Sequence, residues 1–137
     1  MSLRTPDTEE VISIALQAIM STGDRPQGFR DRGLLESAVM RPRFLAHYLD
    51  ADLHLQAAAL GLGISRSQAF VDGNKRAGYA AMRVFLLVNG VALTAEPLEL
   101  ARELEALAEA GTDPDEADQT LATWLREHTA VMERSDR

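Results

Sequence analysis

Residues 75–90 read KRAGYAAMRVFLLVNG, and the spacing of their apolar side chains decides the fold class. Ala77, Ala80, Ala81, Val84, Phe85 and Val88 fall on one helical face, while Met82, Leu86 and Leu87 cover much of the other. A helix that is apolar nearly all round is enclosed by its neighbours. Residues 75–89 are therefore predicted to form the buried central helix of an all-α domain, with Gly90 ending it.

The flanking sequence supplies the helices that would enclose it. Upstream, Asp7 and Glu10 form a capping box that opens a helix running to Gly23, with Val11, Ile12, Ala15, Ile19 and Met20 as its core stripe. A second helix is predicted over 33–41, capped by Asp31 and stopped by Pro42, followed by a short helical turn at 44–48. A third covers 53–65. Downstream, 91–94 reads as extended, half of a very short β-hairpin. Pro97 opens a helix that ends near Gly111, and Asp113-Pro114-Asp115-Glu116 opens the last with another capping box. No repeat or linker interrupts the pattern. Residues 1–137 read as one domain, with an ordered core over about 5–131 and disorder confined to ends such as 133–137.

Composition narrows the function. The longest apolar stretch, 77–88, is broken by Arg83 and is too short to span a bilayer. No signal pattern opens the chain, so a cytoplasmic protein with no membrane role is expected. The absence of cysteine excludes disulfides, thiolate catalysis and cysteine-ligated zinc. The net charge of −7 argues against a nucleic-acid-wrapping surface, since phosphate neutralisation drives such binding. Charge is uneven: 10 basic and 9 acidic groups lie in residues 1–95, against 4 and 12 in 96–137. The acidic Glu96–Glu109 helix reads as a solvated face, available to a basic partner. Among 14 basic residues Lys75 is the single lysine, a compact point charge where the chain otherwise uses arginine.

Lys75 closes the segment QAFVDGNKR, residues 68–76, which sits directly before the central helix. The free N–H groups at that helix start favour an anion. Gly73 lets the chain turn tightly and lets a phosphate approach the backbone. Lys75 and Arg76 place two cations where the helix dipole disfavours them, a penalty that a bound polyphosphate reverses. Asp72 offers a hard carboxylate suited to Mg²⁺. Asn74 can hold the loop or a phosphate oxygen, and Phe70 reads as the anchor to the core. The pattern alone leaves open a simpler alternative, a helix-connecting turn with a solvated basic pair.

The segment resembles the signature of the Fic/Doc family: a histidine, then Phe two residues on, then Asp/Asn-Gly/Ala-Asn-Lys/Gly-Arg. With lysine at 75, where Fic enzymes usually carry glycine, it is closer to the Doc (death-on-curing) branch. Two further blocks are similar to the family's: GFRDRGLLESA at 28–38 and FLLVNGV at 85–91. The resemblance implies transfer from a nucleoside triphosphate such as ATP, with Mg²⁺, to a protein hydroxyl. Fic proteins generally attach AMP. Doc resembles a kinase that acts on translation elongation factor Tu and is the toxin of a toxin–antitoxin pair, neutralised by a small antitoxin protein. By position, Asp72 would be the metal ligand, Gly73, Asn74 and Lys75 phosphate contacts, and Arg76 a clamp on the transferring phosphate.

One position departs from the pattern. Where the family places its catalytic histidine, this chain has Gln68. A glutamine amide can orient a hydroxyl but cannot take its proton, and losing a general base costs about 10²–10⁴-fold. The resemblance therefore implies an attenuated toxin or, alternatively, a catalytically silent regulator that binds nucleotide or a partner. Of the three histidines, only His54, in the helix before the loop, is placed to substitute, provided that helix packs favourably.

Overall fold

The computed structural model describes residues 3–21, 23 and 28–132. Among these residues six helices form: α1 (Thr8–Met20), α2 (Arg32–Leu49), α3 (Leu53–Arg66), α4 (Asn74–Val88), α5 (Pro97–Glu109) and α6 (Pro114–Glu127). The fold is all-α, with one minimal sheet. Among the described residues no helix is long and apolar enough to cross a membrane. The expectation of a ragged end at 133–137 lies outside the described residues.

Helices α3 and α4 form the centre. Helix α3 is touched by α2, α4, α5 and α6, while α4 also meets α1. Small residues make the α3–α4 contact possible. A Cβ on Gly78 would stand 2.4 Å from the Gly61 carbonyl oxygen, and one on Gly61 would stand 2.9 Å from Met82 Sδ. Backbone proximity therefore requires Gly78, while Gly61 makes room for the Met82 side chain. The more enclosed of the two helices is α3, where every residue from Leu55 to Leu62 is buried. In α4, Ala77, Gly78, Ala81, Met82, Phe85 and Leu86 are buried, but Leu87 and Val88 are exposed at its C-terminal end. The alanines and glycines of α3 dilute its hydrophobicity, so apolarity ranked α4 above it.

Helix α1 opens on the expected capping box: the Glu10 N–H donates to Asp7 at 2.8 Å, and the Asp7 N–H donates to Glu10 at 3.2 Å. Val11, Ala15 and Ile19 are buried and Ile12 packs beside them, but Met20 is 60% exposed and lies off the core stripe. Asp31 caps α2 as anticipated, accepting from the Gly33 N–H at 2.9 Å.

Pro42 does not stop α2. The helix continues to Leu49 and absorbs the turn expected at 44–48. A mid-helix proline forfeits a backbone hydrogen bond and crowds the carbonyl four residues back. Here Leu35, Ala38, Val39 and Pro42 are all buried on one face, and Ala38 faces Gly63 of α3 closely enough to meet a Cβ built there at 3.6 Å. That packing outweighs the local preference. Arg41 ties α2 to α6 through Asp118 and through Asp115 at 3.0 Å.

The extended segment after α4 is β1 (Val91–Leu93), but it is no hairpin. Its antiparallel partner is β2 (Thr129–Val131), which follows α6 and pairs Val91 with Val131 and Leu93 with Thr129. Asp113 caps α6 by accepting from the Glu116 N–H at 3.3 Å.

Candidate functional site

The loop between α3 and α4 is built from both sides. Ser67, at the end of α3, donates to the Ile64 carbonyl at 2.8 Å and accepts from the Ala69 N–H at 3.1 Å. Residues 28–31 then run alongside. The Arg30 and Asp31 N–H groups both donate to the Ala69 carbonyl, at 2.7 and 3.0 Å, and the Val71 N–H donates to the Gly28 carbonyl at 3.1 Å. Phe29 stacks on the buried Phe70 with centroids 4.9 Å apart. The two segments quoted separately from the sequence, 28–38 and 68–76, are thus neighbours in space.

Inside the loop, Asn74 is the tie. Its Oδ1 accepts from the Phe70 N–H and its Nδ2 donates to the Phe70 carbonyl, both at 3.0 Å. Of its two anticipated roles, holding the loop is the one this geometry fills. Asp72 accepts from the Gly73 N–H at 2.8 Å. Gly73 has φ +90°, and a Cβ there would lie 2.8 Å from Ile19 Cδ1, so conformation and space both require glycine. With Gly73 as N-cap, α4 begins at the loop without a side-chain cap bond.

Gln68 is exposed and takes φ +58°, a left-handed conformation uncommon outside glycine. Its Oε1 accepts from Arg30 Nη1 at 3.2 Å.

Gln68, Asp72, Gly73, Asn74, Lys75 and Arg76 line one cavity of about 470 Å³ together with Ser65, Val71 and Glu105. All the sequence-selected loop residues therefore meet at one place. A second cavity of about 420 Å³ shares Lys75, Arg76 and Glu105 with the first and is otherwise walled by α1, α4 and α5, with Ala18, Tyr79, Ala80, Ala101 and Leu104 among its lining. A polar chamber and an apolar one thus adjoin across two cations and a carboxylate.

The sequence reading missed that carboxylate. Lys75 donates to Glu109, and Glu105 stands 3.7 Å from the same Nζ. The bond from Glu109 and the attraction of both carboxylates hold the ammonium above its ordinary pKa. Glu105 and Glu109 lie one helical turn apart, and that spacing was the available signal. Among the described residues, no three His, Cys, Asp or Glu side chains gather into a metal cluster.

No histidine reaches the loop. His54 sits at the other end of α3, where Nε2 lies 3.0 Å from Thr129 Oγ1. His47 packs edge-on against Tyr48, and His128 stacks on Trp124.

Two comparisons with known proteins bear on this chain. A family model described as the Fic/DOC family matches residues 5–86, which include the 28–38 and 68–76 segments. The chain is also similar to a curated protein of Mycolicibacterium smegmatis (strain ATCC 700084 / mc(2)155) named Toxin Doc. Identity is 40% over 95 residues, covering 68% of this chain and 72% of that protein.

Proposed function

The chain belongs to the Fic/DOC family, on its Doc branch, and on that premise we propose that it is the toxin of a toxin–antitoxin pair. Its reaction is transfer of a phosphoryl group, or AMP, from a nucleoside triphosphate to a hydroxyl of a protein such as translation elongation factor Tu. An antitoxin protein is its natural partner. The observation that carries this reading is the convergence of Gln68, Asp72, Gly73, Lys75 and Arg76 on one cavity that shares Lys75, Arg76 and Glu105 with an apolar neighbour. Volumes of this order suit a small-molecule ligand. The division suits a nucleotide, with phosphates at the loop and the base among Tyr79, Ala80 and Leu104.

The residues present fit both implied groups. The uncapped first turn of α4, with Lys75 and Arg76 upon it, suits a polyphosphate. Asp72 is exposed and spends Oδ1 on the Gly73 N–H, which leaves its other oxygen for Mg²⁺. With no metal cluster among the described residues, the ion would be shared with phosphate oxygens and water, as Mg²⁺ prefers. When bound, it would neutralise phosphate charge. Lys75 would act as a point charge and Arg76 as a clamp on the transferring or leaving phosphate. The α3–α4 loop and segment 28–31 orient these groups, and orientation is most of what phosphoryl transfer asks of a protein.

Gln68 has no basicity, so transfer by this chain is slow. Its position, together with the remoteness of all three histidines, favours a second reading: a nucleotide- or partner-binding regulator without turnover. A transfer assay with labelled ATP and candidate targets separates the two. Gln68→His should raise turnover by about 10²–10⁴-fold, well beyond any change in ATP affinity. Absence of transfer in both forms, with ATP still bound, favours the regulator. Loss of transfer in His54→Ala would contradict the placement of the site.

A further inference from the structure

The side chain at position 68 is oriented by Arg30, and its polarity follows from donor chemistry alone. A guanidinium carries only donors, so the end of the Gln68 amide that meets Arg30 Nη1 at 3.2 Å is the oxygen. The Nε2 amide is therefore the end turned away from Arg30. Gln68 lines the loop cavity, whereas Arg30 is not among the residues on its wall. The arrangement is held at both partners. Arg30 and Asp31 are fastened to the Ala69 carbonyl through their backbone N–H groups, and Gln68 is fixed in a left-handed conformation immediately before Ala69.

We infer that Arg30 is a positioning residue that makes Gln68 a hydrogen-bond donor to an oxyanion, specifically a phosphate oxygen of the nucleotide, and not an acceptor for the target hydroxyl. This rests on the nucleotide-binding reading of the cavity and deepens it. A side chain that presents N–H adds a neutral donor on the wall that also carries Lys75, Arg76 and the start of α4. An amide turned the other way would point a carbonyl oxygen at phosphate oxygens and oppose them. The residue at 68 thus contributes to binding while leaving the proton-transfer role unfilled.

A double-mutant cycle on the full chain, read by calorimetry with Mg²⁺-ATP, tests this. Gln68→Leu should weaken ATP binding by about tenfold, the loss of one hydrogen bond to a charged group. Arg30→Met should weaken it several-fold in the native background and by less than about twofold beside Gln68→Leu, because Arg30 acts through Gln68. Arg30→Lys, which retains a donor-only head, should restore most of the affinity lost in Arg30→Met. The Arg30 side chain is exposed and its loop-holding bonds are made by backbone, so these variants fold. Equal effects of Arg30→Met in both backgrounds would overturn the inference and reduce Arg30 to a distant charge. So would Gln68→Leu binding ATP as tightly as the native chain. Failure of the native chain to bind ATP at all would overturn the function proposed above, and this inference with it.

Discussion

The two ends of α3 are both rich in polar groups, yet they are organised in opposite ways. At the N-terminal end, Asp52 caps the helix by accepting from the Leu55 N–H at 2.9 Å, and it also holds Arg126 through two bonds of 3.1 Å. His54 is closed off by Thr129. Every one of these groups is spent on a neighbour, and together they fasten β2 and α6 to the helix. At the C-terminal end, roughly 20 Å away along the axis, the loop's backbone is satisfied by Asn74, Ser67 and segment 28–31. Its charged side chains and the start of α4 line a cavity. Charged groups bonded to one another stabilise a structure, whereas charged groups gathered around open space mark a candidate ligand site. The contrast distinguishes a structural end from the end that carries the candidate site.

Breaking the loop should give the largest effect. Gly73→Ala places a side chain at φ +90° and drives its Cβ toward Ile19. The left-handed conformation alone costs about 1–2 kcal/mol, and the overlap adds a comparable amount unless the loop shifts. Urea denaturation should show about 2 kcal/mol lost, and calorimetry more than a tenfold loss of ATP affinity. Unchanged binding would mean that the backbone at 73 does not shape the anion site.

The mirror-image experiment is at the far end. Asp52→Ala removes a helix cap and an exposed ion pair, which together contribute about 1–2 kcal/mol, and should leave ATP binding untouched. Acid should act there too. Burial lowers the pKa of His54 below its ordinary 6.5, a shift that the Asp52 charge opposes and Arg126 adds to. The folded state therefore favours the neutral imidazole. Its contribution is complete above pH 6.5 and is lost as pH falls through the lowered folded value. For Asp52, burial acts to raise the pKa, but the Arg126 and Leu55 bonds outweigh it and leave it lowered from 3.8. Its contribution is present above pH 3.8 and is lost below. Melting temperature should thus fall as pH drops from 7 to 5, and His54→Gln should flatten that fall. An identical pH profile in the variant would assign the acid sensitivity elsewhere.

What the sequence disclosed follows the same division. The loop was legible because its parts are contiguous: a glycine, a carboxylate, an amide and two cations placed before a helix. Capping at Asp7, Asp31 and Asp113 was legible for the same reason, since each cap acts within three residues. Long-range matters were not. Nothing local says that the 28–31 backbone would bind Ala69, that Glu109 would meet Lys75, or that β1 would pair with residues beyond α6. Pro42 misled because its local penalty is real and only packing against α3 overrides it. At position 68 the lack of basicity is legible, but the partner Arg30, 38 residues away in sequence, is not.

The smallest effect sharpens the functional end. Glu105 and Glu109 engage Lys75, and Glu105 also lines both cavities, so each carboxylate stands where a triphosphate would bring more negative charge. All three side chains are about half exposed, so solvent screens these pairs and each is weak. Replacing both carboxylates by amides releases Lys75 and removes repulsion while preserving side-chain volume. Glu105→Gln with Glu109→Gln should therefore tighten Mg²⁺-ATP binding by up to about fivefold at low ionic strength. The gain should shrink as salt rises, because the Debye length contracts to about 3 Å at 1 M. It should also be smaller in a Lys75→Ala background, where only the repulsion remains to be relieved. Weaker binding in the double variant would reverse the interpretation: the carboxylates would then be holding Lys75 in place for the phosphate. The functional end would share with the Asp52 end a network in which charges position one another.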